Sequence, residues 1–204
     1  KLEILIQNPT LTLEILETLK HDPDLYVRKS VSNHLNDLAK DHADWVIEVL
    51  SRWKLNCKPA HAKKINWIIY RSLRNLIKKG HPKAMNLIGV NCNAKVKVTP
   101  VQLNKKFFRL NDTIEFNFAI CSIAKKQQKI IIDYIIHHVK ANKETTPKIF
   151  KLKNILLEPN QKISILKKHS LKKITTRKYY PGVHLLEIQV NGKVLMWAEW
   201  TLSL

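Results

Sequence analysis

The chain has 204 residues, 45% hydrophobic and 25% charged, which suffices for two small cores and excludes wholesale disorder. Its 36 basic against 16 acidic residues give a formal charge of +20, which points to a polyanionic partner. Cys57, Cys92 and Cys121 lack CxxC spacing, and Asp133 interrupts the longest apolar run. The sequence therefore predicts no metal site, cofactor, disulfide framework or membrane partner, and favours a reducing cytoplasm.

In chain order, residues 10–19 read as a short helix entered through Asn8-Pro9-Thr10. The chain lacks an initiator Met and is expected to begin inside a helix at Lys1, as the C-terminal piece of a longer array. Asp22-Pro23-Asp24 then caps a helix whose Val27, Val31, Leu35 and Leu38 form one apolar stripe. Leu25, Lys29, Asn33, Asn36 and Lys40 are expected on a separate, mostly polar face. Residues 44–53 are amphipathic, with Trp45, Val49 and Trp53 on one side.

Ile65, Ile69, Leu73 and Leu76 repeat the four apolar anchors at an offset of 38 residues, near the ~40-residue period of HEAT-type repeats. Their helix is expected over residues 62–79, stopped by Gly80. Its other face reads Trp67, Tyr70, Arg71, Arg74 and Lys78, an aromatic head above a ladder of cations. Such repeats stack into a solenoid whose concave side binds an extended partner.

After Gly89 the period changes from 3.6 to two. Residues 95–98 alternate, as do residues 113–120, where Ile114, Phe116, Phe118 and Ile120 share a face. The β-branched run 129–139 reads as a long strand, and Asn191-Gly192 joins two further strands in a hairpin. Roughly seven strand-like runs suit an immunoglobulin-like β-sandwich. The expected organisation is multidomain, α then β: a HEAT-like α-solenoid over 1–92 and an Ig-like sandwich over 93–204. No flexible Gly/Ser linker separates them, so the two are expected to touch.

Charge divides unevenly. Residues 1–90 carry 15 basic and 9 acidic groups, and residues 91–204 carry 21 and 7. Lys105-Lys106, Lys125-Lys126, Lys167-Lys168 and Lys172-Lys173 are expected at turns or strand ends, where loops gathered at one end would form a basic clamp.

Tyr26-Val27-Arg28-Lys29-Ser30-Val31, Asn33-His34-Leu35-Asn36-Asp37, Lys40-Asp41-His42, Trp67-Ile68-Ile69 and the run Leu76-Ile77-Lys78-Lys79-Gly80-His81-Pro82 together carry a family resemblance. They resemble DNA alkylation repair glycosylases of the AlkC/AlkD HEAT-like superfamily, in particular the bacterial AlkC branch. Some members of that branch carry an Ig-like domain after the repeats. The resemblance implies a monofunctional enzyme that cleaves the N-glycosidic bond of cationic bases such as 3-methyladenine and 3-methylcytosine. It implies a double-stranded DNA partner, action without base flipping, a basic Ig-like domain helping to clamp the duplex, and a monomer.

The resemblance also implies an acidic residue just before Tyr-Val-Arg, where this chain has Leu25. Asp37, the nearest carboxylate on the motif helix, is the candidate catalytic residue, with local capping or pairing as its alternative. Tyr26, Arg28, Lys29, Asn33, Trp67, Arg71, Arg74 and Lys78 are the candidate DNA-binding residues. Tyr26 and Arg28 could equally pack between repeats, and His34 reads as a structural hydrogen-bonder. Two other readings stand beside catalysis: a non-catalytic DNA-binding module, and a HEAT–Ig scaffold for acidic protein partners.

Overall fold

A computed structural model describes residues 3–175 and 177–203. The expected helical start at Lys1 lies outside the described residues. The chain divides into two compact units, Lys1–Gly89 and Val90–Leu204, slightly ahead of the 92/93 boundary expected from sequence. The reason is local. Asn191 Nδ2 donates to the Asn91 carbonyl at 2.8 Å and Lys193 Nζ to Asn93 Oδ1 at 2.6 Å, which ties residues 91–93 to the second unit.

The first unit is helical: α1 (Glu3–Gln7), α2 (Leu13–Leu19), α3 (Leu25–Leu38), α4 (Ala43–Leu55), α5 (Ala62–Ser72), α6 (Arg74–Lys78) and α7 (Pro82–Leu87), with 3₁₀ turns at Pro9–Thr12 and Pro59–His61. Asp24 caps α3 by accepting from the Tyr26 amide at 2.6 Å, and Asn8 caps the first 3₁₀ turn through the Thr10 amide. Val31, Leu35 and Leu38 are buried and Val27 partly so, while all four of their counterparts, Ile65, Ile69, Leu73 and Leu76, are buried. The 38-residue offset is thus a structural repeat, and α3 packs beside α5. Gly80, at φ 69°, ends the second copy. The His81 amide reaches back to the Leu76 carbonyl and the Gly80 amide to that of Ile77, a paired closure of the last turn.

Two expectations need correction here. The helix over 62–79 is not continuous: it breaks at Leu73, whose φ −89° and ψ 4° leave the helical basin. Asn36 is not on a polar outer face either, for it is 1% exposed. Its amide nitrogen donates to the Ser72 carbonyl at 2.7 Å, and its oxygen accepts from Asn75 Nδ2 at 3.0 Å. The break and the buried amide belong together, since the irregular turn at Leu73 is flanked by the two groups that Asn36 serves. A polar residue pays its desolvation only when its hydrogen bonds are complete.

The second unit holds nine strands among the described residues: β1 (Val96–Val98), β2 (Gln102–Leu103), β3 (Phe107–Arg109), β4 (Thr113–Ser122), β5 (Gln128–Val139), β6 (Thr145–Leu157), β7 (Lys162–Ser170), β8 (Gly182–Val190) and β9 (Lys193–Ser203). In one sheet β4 pairs with β7 on one edge, and with β1 and then β2 along the other. The second sheet runs β3-β9-β8-β5-β6, with β3 parallel to β9. Three short strands stand where the sequence suggested fewer: Pro100 lies between β1 and β2, and the chain passes to the other sheet at β3. Ile114, Phe116, Phe118 and Ile120 face inward as expected, against Ile130, Ile132, Tyr134 and Ile136 of β5. Asn191 and Gly192 both have positive φ, 47° and 83°, the signature of the type I′ turn that joins β8 to β9.

The four lysine pairs do not gather as a clamp. Lys167 and Lys168 lie inside β7, opposite Phe116 and Glu115. Lys105-Lys106 and Lys172-Lys173 sit near the Thr113 end of β4, and Lys125-Lys126 follows its Ser122 end. Antiparallel pairing sends successive turns to opposite ends, which spacing along the chain does not reveal.

A buried polar group closes one region of this core. Tyr134 Oη lies 3.0 Å from His169 Nδ1, His184 Nε2 lies 3.2 Å from the Tyr180 carbonyl, and Arg177 Nη1 lies 2.7 Å from His138 Nε2. Burial, and then the Arg177 charge, hold the His138 pKa down to about 3 and that of His169 to about 4. Burial also lowers His184, and it raises the Tyr134 phenol to about 12. These imidazoles fold neutral.

Two outcomes follow from these contacts. Asn36→Ala should destabilise the helical unit by about 1–3 kcal/mol, the usual cost of stranding buried polar partners, read as a lower denaturant midpoint; an unchanged midpoint would remove Asn36 as the fastener. For the sandwich, depressed histidine pKa values mean that the unfolded chain binds protons first. Stability is full above about pH 6.5 and falls with acidification towards pH 4, by up to about 1.4 kcal/mol per pH unit for each histidine. Denaturation of the chain at pH 7, 6 and 5 checks this, and a flat profile would mean that the histidines titrate alike in the folded and unfolded chain.

Candidate nucleic-acid interface

Helices have side chains three and four residues apart on one face. On α3 that spacing groups Tyr26, Lys29, Asn33 and Asp37; on α5 and α6 it groups Trp67, Arg71, Arg74 and Lys78. The structure joins the two faces directly. Arg71 Nη2 donates to Asn33 Oδ1 at 3.4 Å, and the Arg71 guanidinium stands 5.6 Å from the Trp67 ring. Tyr26 is 76% exposed and Trp67 36%, large apolar rings offered to solvent beside cations. Lys29, Asn33 and Lys78 are also exposed.

Arg74 is the better-held cation. Its Nη1 donates to the Arg71 carbonyl at 2.8 Å. Burial, followed by the neighbouring Arg71 charge, lowers its pKa, while Asp37 acts the other way. Two guanidiniums this close favour an anion placed between them. Arg28 has a different position from the rest: its Nη1 donates to the carbonyls of Asp22 and Pro23, at 2.6 and 2.7 Å. That guanidinium braces the turn that starts α3.

Asp37 is exposed and paired with Lys40, Nζ to Oδ1 2.6 Å. It also lines a cleft of about 280 Å³ with Leu5, Ile6, His34, Leu38 and Lys40. His34 Nε2 lies 2.9 Å from Thr12 Oγ1, the structural role expected of it. Burial lowers the His34 pKa, and Asp37 partly opposes this. Leu25, first residue of α3, is 45% exposed, one turn before Lys29.

The arrangement can hold a polyanion by its phosphates and offer aromatic faces to a cationic group. Asp37 brings a carboxylate to the same face of α3. The contacts missed from the sequence are those that need the partner helix: Asn33 with Arg71, and Asn36 with Ser72 and Asn75. Their only signal was the 38-residue offset. Among the described residues no cluster of three or more His, Cys, Asp or Glu side chains is placed to hold a metal, and Cys57 and Cys121 are free thiols. No helix of the described residues is long and apolar enough to cross a membrane.

Comparison with known proteins gives a consistent result. The chain is 35% identical over 187 residues to the uncharacterized protein YhaZ of Bacillus subtilis (strain 168), a match over 92% of this chain and 50% of that protein. It superposes with a TM-score of 0.93 and 37% identity on the Pseudomonas fluorescens alkylpurine DNA glycosylase AlkC, solved bound to DNA containing an abasic site analog. That match covers all of this chain and 55% of the AlkC chain, so the chain spans about half the length of these relatives. Residues 97–204 match the family of the YhaZ C-terminal Ig-like domain, more than half of the chain, and the chain belongs to that family.

Proposed function

We propose that this chain serves DNA repair, as the part of an alkylated-base DNA glycosylase that grips double-stranded DNA. The carrying observation is the joint face of α3 and α5, where Arg71 bridges Asn33 and Trp67 and is backed by Arg74. Likeness to a glycosylase solved on DNA supports the same reading. In this proposal Lys29, Arg71, Arg74 and Lys78 take phosphates, and Tyr26 and Trp67 take base or sugar surface. Asn33 orients Arg71, and Arg28 fixes the entry to α3. In this proposal the chain works in the cytoplasm, as a monomer on the duplex.

The proposed chemistry asks little acid catalysis of the protein. A base alkylated at N3, such as 3-methyladenine or 3-methylcytosine, is already a cationic leaving group. As its glycosidic bond breaks, positive charge grows on the deoxyribose, and an anion nearby lowers the barrier. Aromatic faces add quadrupolar attraction for the same charge. The lesion would stay within the duplex while water attacks, and cations of the Ig-like unit would help to hold the duplex. Asp37 is the candidate anion on this face, although Lys40 neutralises part of its field.

Leu25 gives specific weight to a second reading, a DNA-binding module without cleavage. A hydrocarbon occupies the first turn of α3, where the family resemblance leads one to expect a carboxylate. Loss of one preorganised electrostatic group typically costs about 10²–10³ in rate.

Binding should fall steeply with salt, by about 0.9 in log–log slope for each neutralised phosphate. Arg71→Ala and Arg74→Ala should each weaken duplex binding and lower that slope by roughly one unit. If both variants follow the wild type through a salt titration, this face is not the DNA surface. On methylated duplex DNA, the 204-residue chain should release 3-methyladenine little faster than the spontaneous background. Leu25→Glu in the complete gene product should raise the rate. Release by the isolated chain far above background, abolished by Asp37→Asn, would instead make Asp37 sufficient.

A further inference from the structure

The sandwich carries a second concentration of charge, remote in sequence from α3 and α5. A cleft of about 280 Å³ is lined by His138, Lys140, Thr146, Lys148, Arg177 and Lys178, and among the described residues no carboxylate lines it. The nearest acid in sequence, Glu144, has its carboxylate engaged by Asn142 Nδ2 at 2.8 Å. Three of the four cations rest on aromatic faces instead of acids. Lys148 stands 5.6 Å from the Phe150 ring, Arg177 5.9 Å from Tyr179, and Lys178 5.5 Å from Tyr180. Aromatic faces position cations without neutralising them.

The histidine wall sharpens the point. A guanidinium only donates, so His138 Nε2 accepts from Arg177 and the imidazole proton lies on Nδ1. That Nδ1 is buried and meets no acceptor among the described residues, in a side chain that is 7% exposed. The Arg177 and Lys148 charges both act on His138 and on its neighbour His169. With four basic side chains and no described acid lining the cleft, the local field is positive. Arg177 keeps further N–H donors beyond the one given to His138, in a fork that matches phosphate oxygens.

We propose that the cleft at Arg177 is a binding site for a single phosphate group, with Arg177 as bidentate donor, Lys148 and Lys178 as flanking charges and Thr146 as hydroxyl donor. It stands in the sandwich unit and does not depend on DNA occupying the face of α3 and α5. The phosphate is either a small phosphate ion or ester, or one backbone phosphate of a nucleic acid; the chemistry of capture is the same.

The experiment titrates the 204-residue chain with inorganic phosphate at constant ionic strength, balanced with chloride, and follows amide NMR shifts and thermal midpoint. Saturable shifts confined to residues around 138–148 and 177–180 are expected, together with a higher midpoint. Lys148→Gln, a change at an exposed side chain, should weaken the phosphate isotherm at least fivefold, and Arg177→Gln should abolish it. A response no greater than that to chloride, or a Lys148→Gln isotherm equal to wild type, overturns the proposal. The last arm separates the sources. If saturating unmodified duplex blocks phosphate binding and Lys148→Gln lowers the salt slope of duplex binding, the natural ligand is backbone phosphate. If phosphate still binds beside the duplex, it is a small phosphate. Neither result depends on glycosylase activity, so failure here and failure of the repair reading are separately visible.

Discussion

The hydrogen bonds of Asn36 fix the geometry on which the candidate interface depends. One amide, almost fully buried, donates to the Ser72 carbonyl and accepts from Asn75, and so pins α3 against the break between α5 and α6. Apolar packing of Val31 and Leu35 against Ile65 and Ile69 drives the helices together but tolerates sliding, because burial is not directional. A completed polar pair inside that contact does not tolerate it, since a shifted register strands three hydrogen-bonding groups away from water. Register in turn decides that Asn33 meets Arg71 and that Arg71 stands over Trp67.

Cations in both units are held by means other than carboxylates. Arg74 is tied to a carbonyl, Arg71 to an amide and an aromatic ring, and Arg177 to a neutral imidazole and a ring. Partners of this kind spend conformational freedom to fix the side chain while leaving its charge uncancelled. Some exposed charges are paired instead, such as Lys40 with Asp37 and Lys83 with Asp44. Exposed pairs of that sort contribute little to stability. The excess of base over acid is therefore expressed at particular places, and a polyanion would find its charge preorganised there.

The buried histidines show the same economy from the other side. His138, His169 and His184 line one region of the sandwich core in their neutral forms, stacked or edge-on with Trp200, Tyr179 and Tyr134. Neutral imidazole packs as an aromatic and still satisfies a carbonyl, a phenol or a guanidinium. A protonated His138 or His169 would meet the charges of Arg177 and Lys148.

Much of this was legible from residue spacing. The four-anchor stripe of α3 and its copy 38 residues on, the Gly80 stop, the inward face of β4 and the Asn191-Gly192 turn are local patterns, and local backbone preferences decide them. The sequence also placed Trp67, Arg71 and Arg74 on one helix face, because that follows from 3.6 residues per turn. It could not show that Asn36 points into a neighbouring helix, that the long helix breaks at Leu73, or that Arg28 turns back to the carbonyls of Asp22 and Pro23. The first two depend on which partner stands across the contact, and the third on a side-chain rotamer that spacing does not specify. Nor could it show that Lys125-Lys126 and Lys172-Lys173 leave β4 and β7 at opposite ends, or that Arg177 meets His138. Pairings such as Asn36 with Ser72 and Arg177 with His138 join residues 36 and 39 positions apart in sequence, and only the folded chain pays the loop entropy that brings them together.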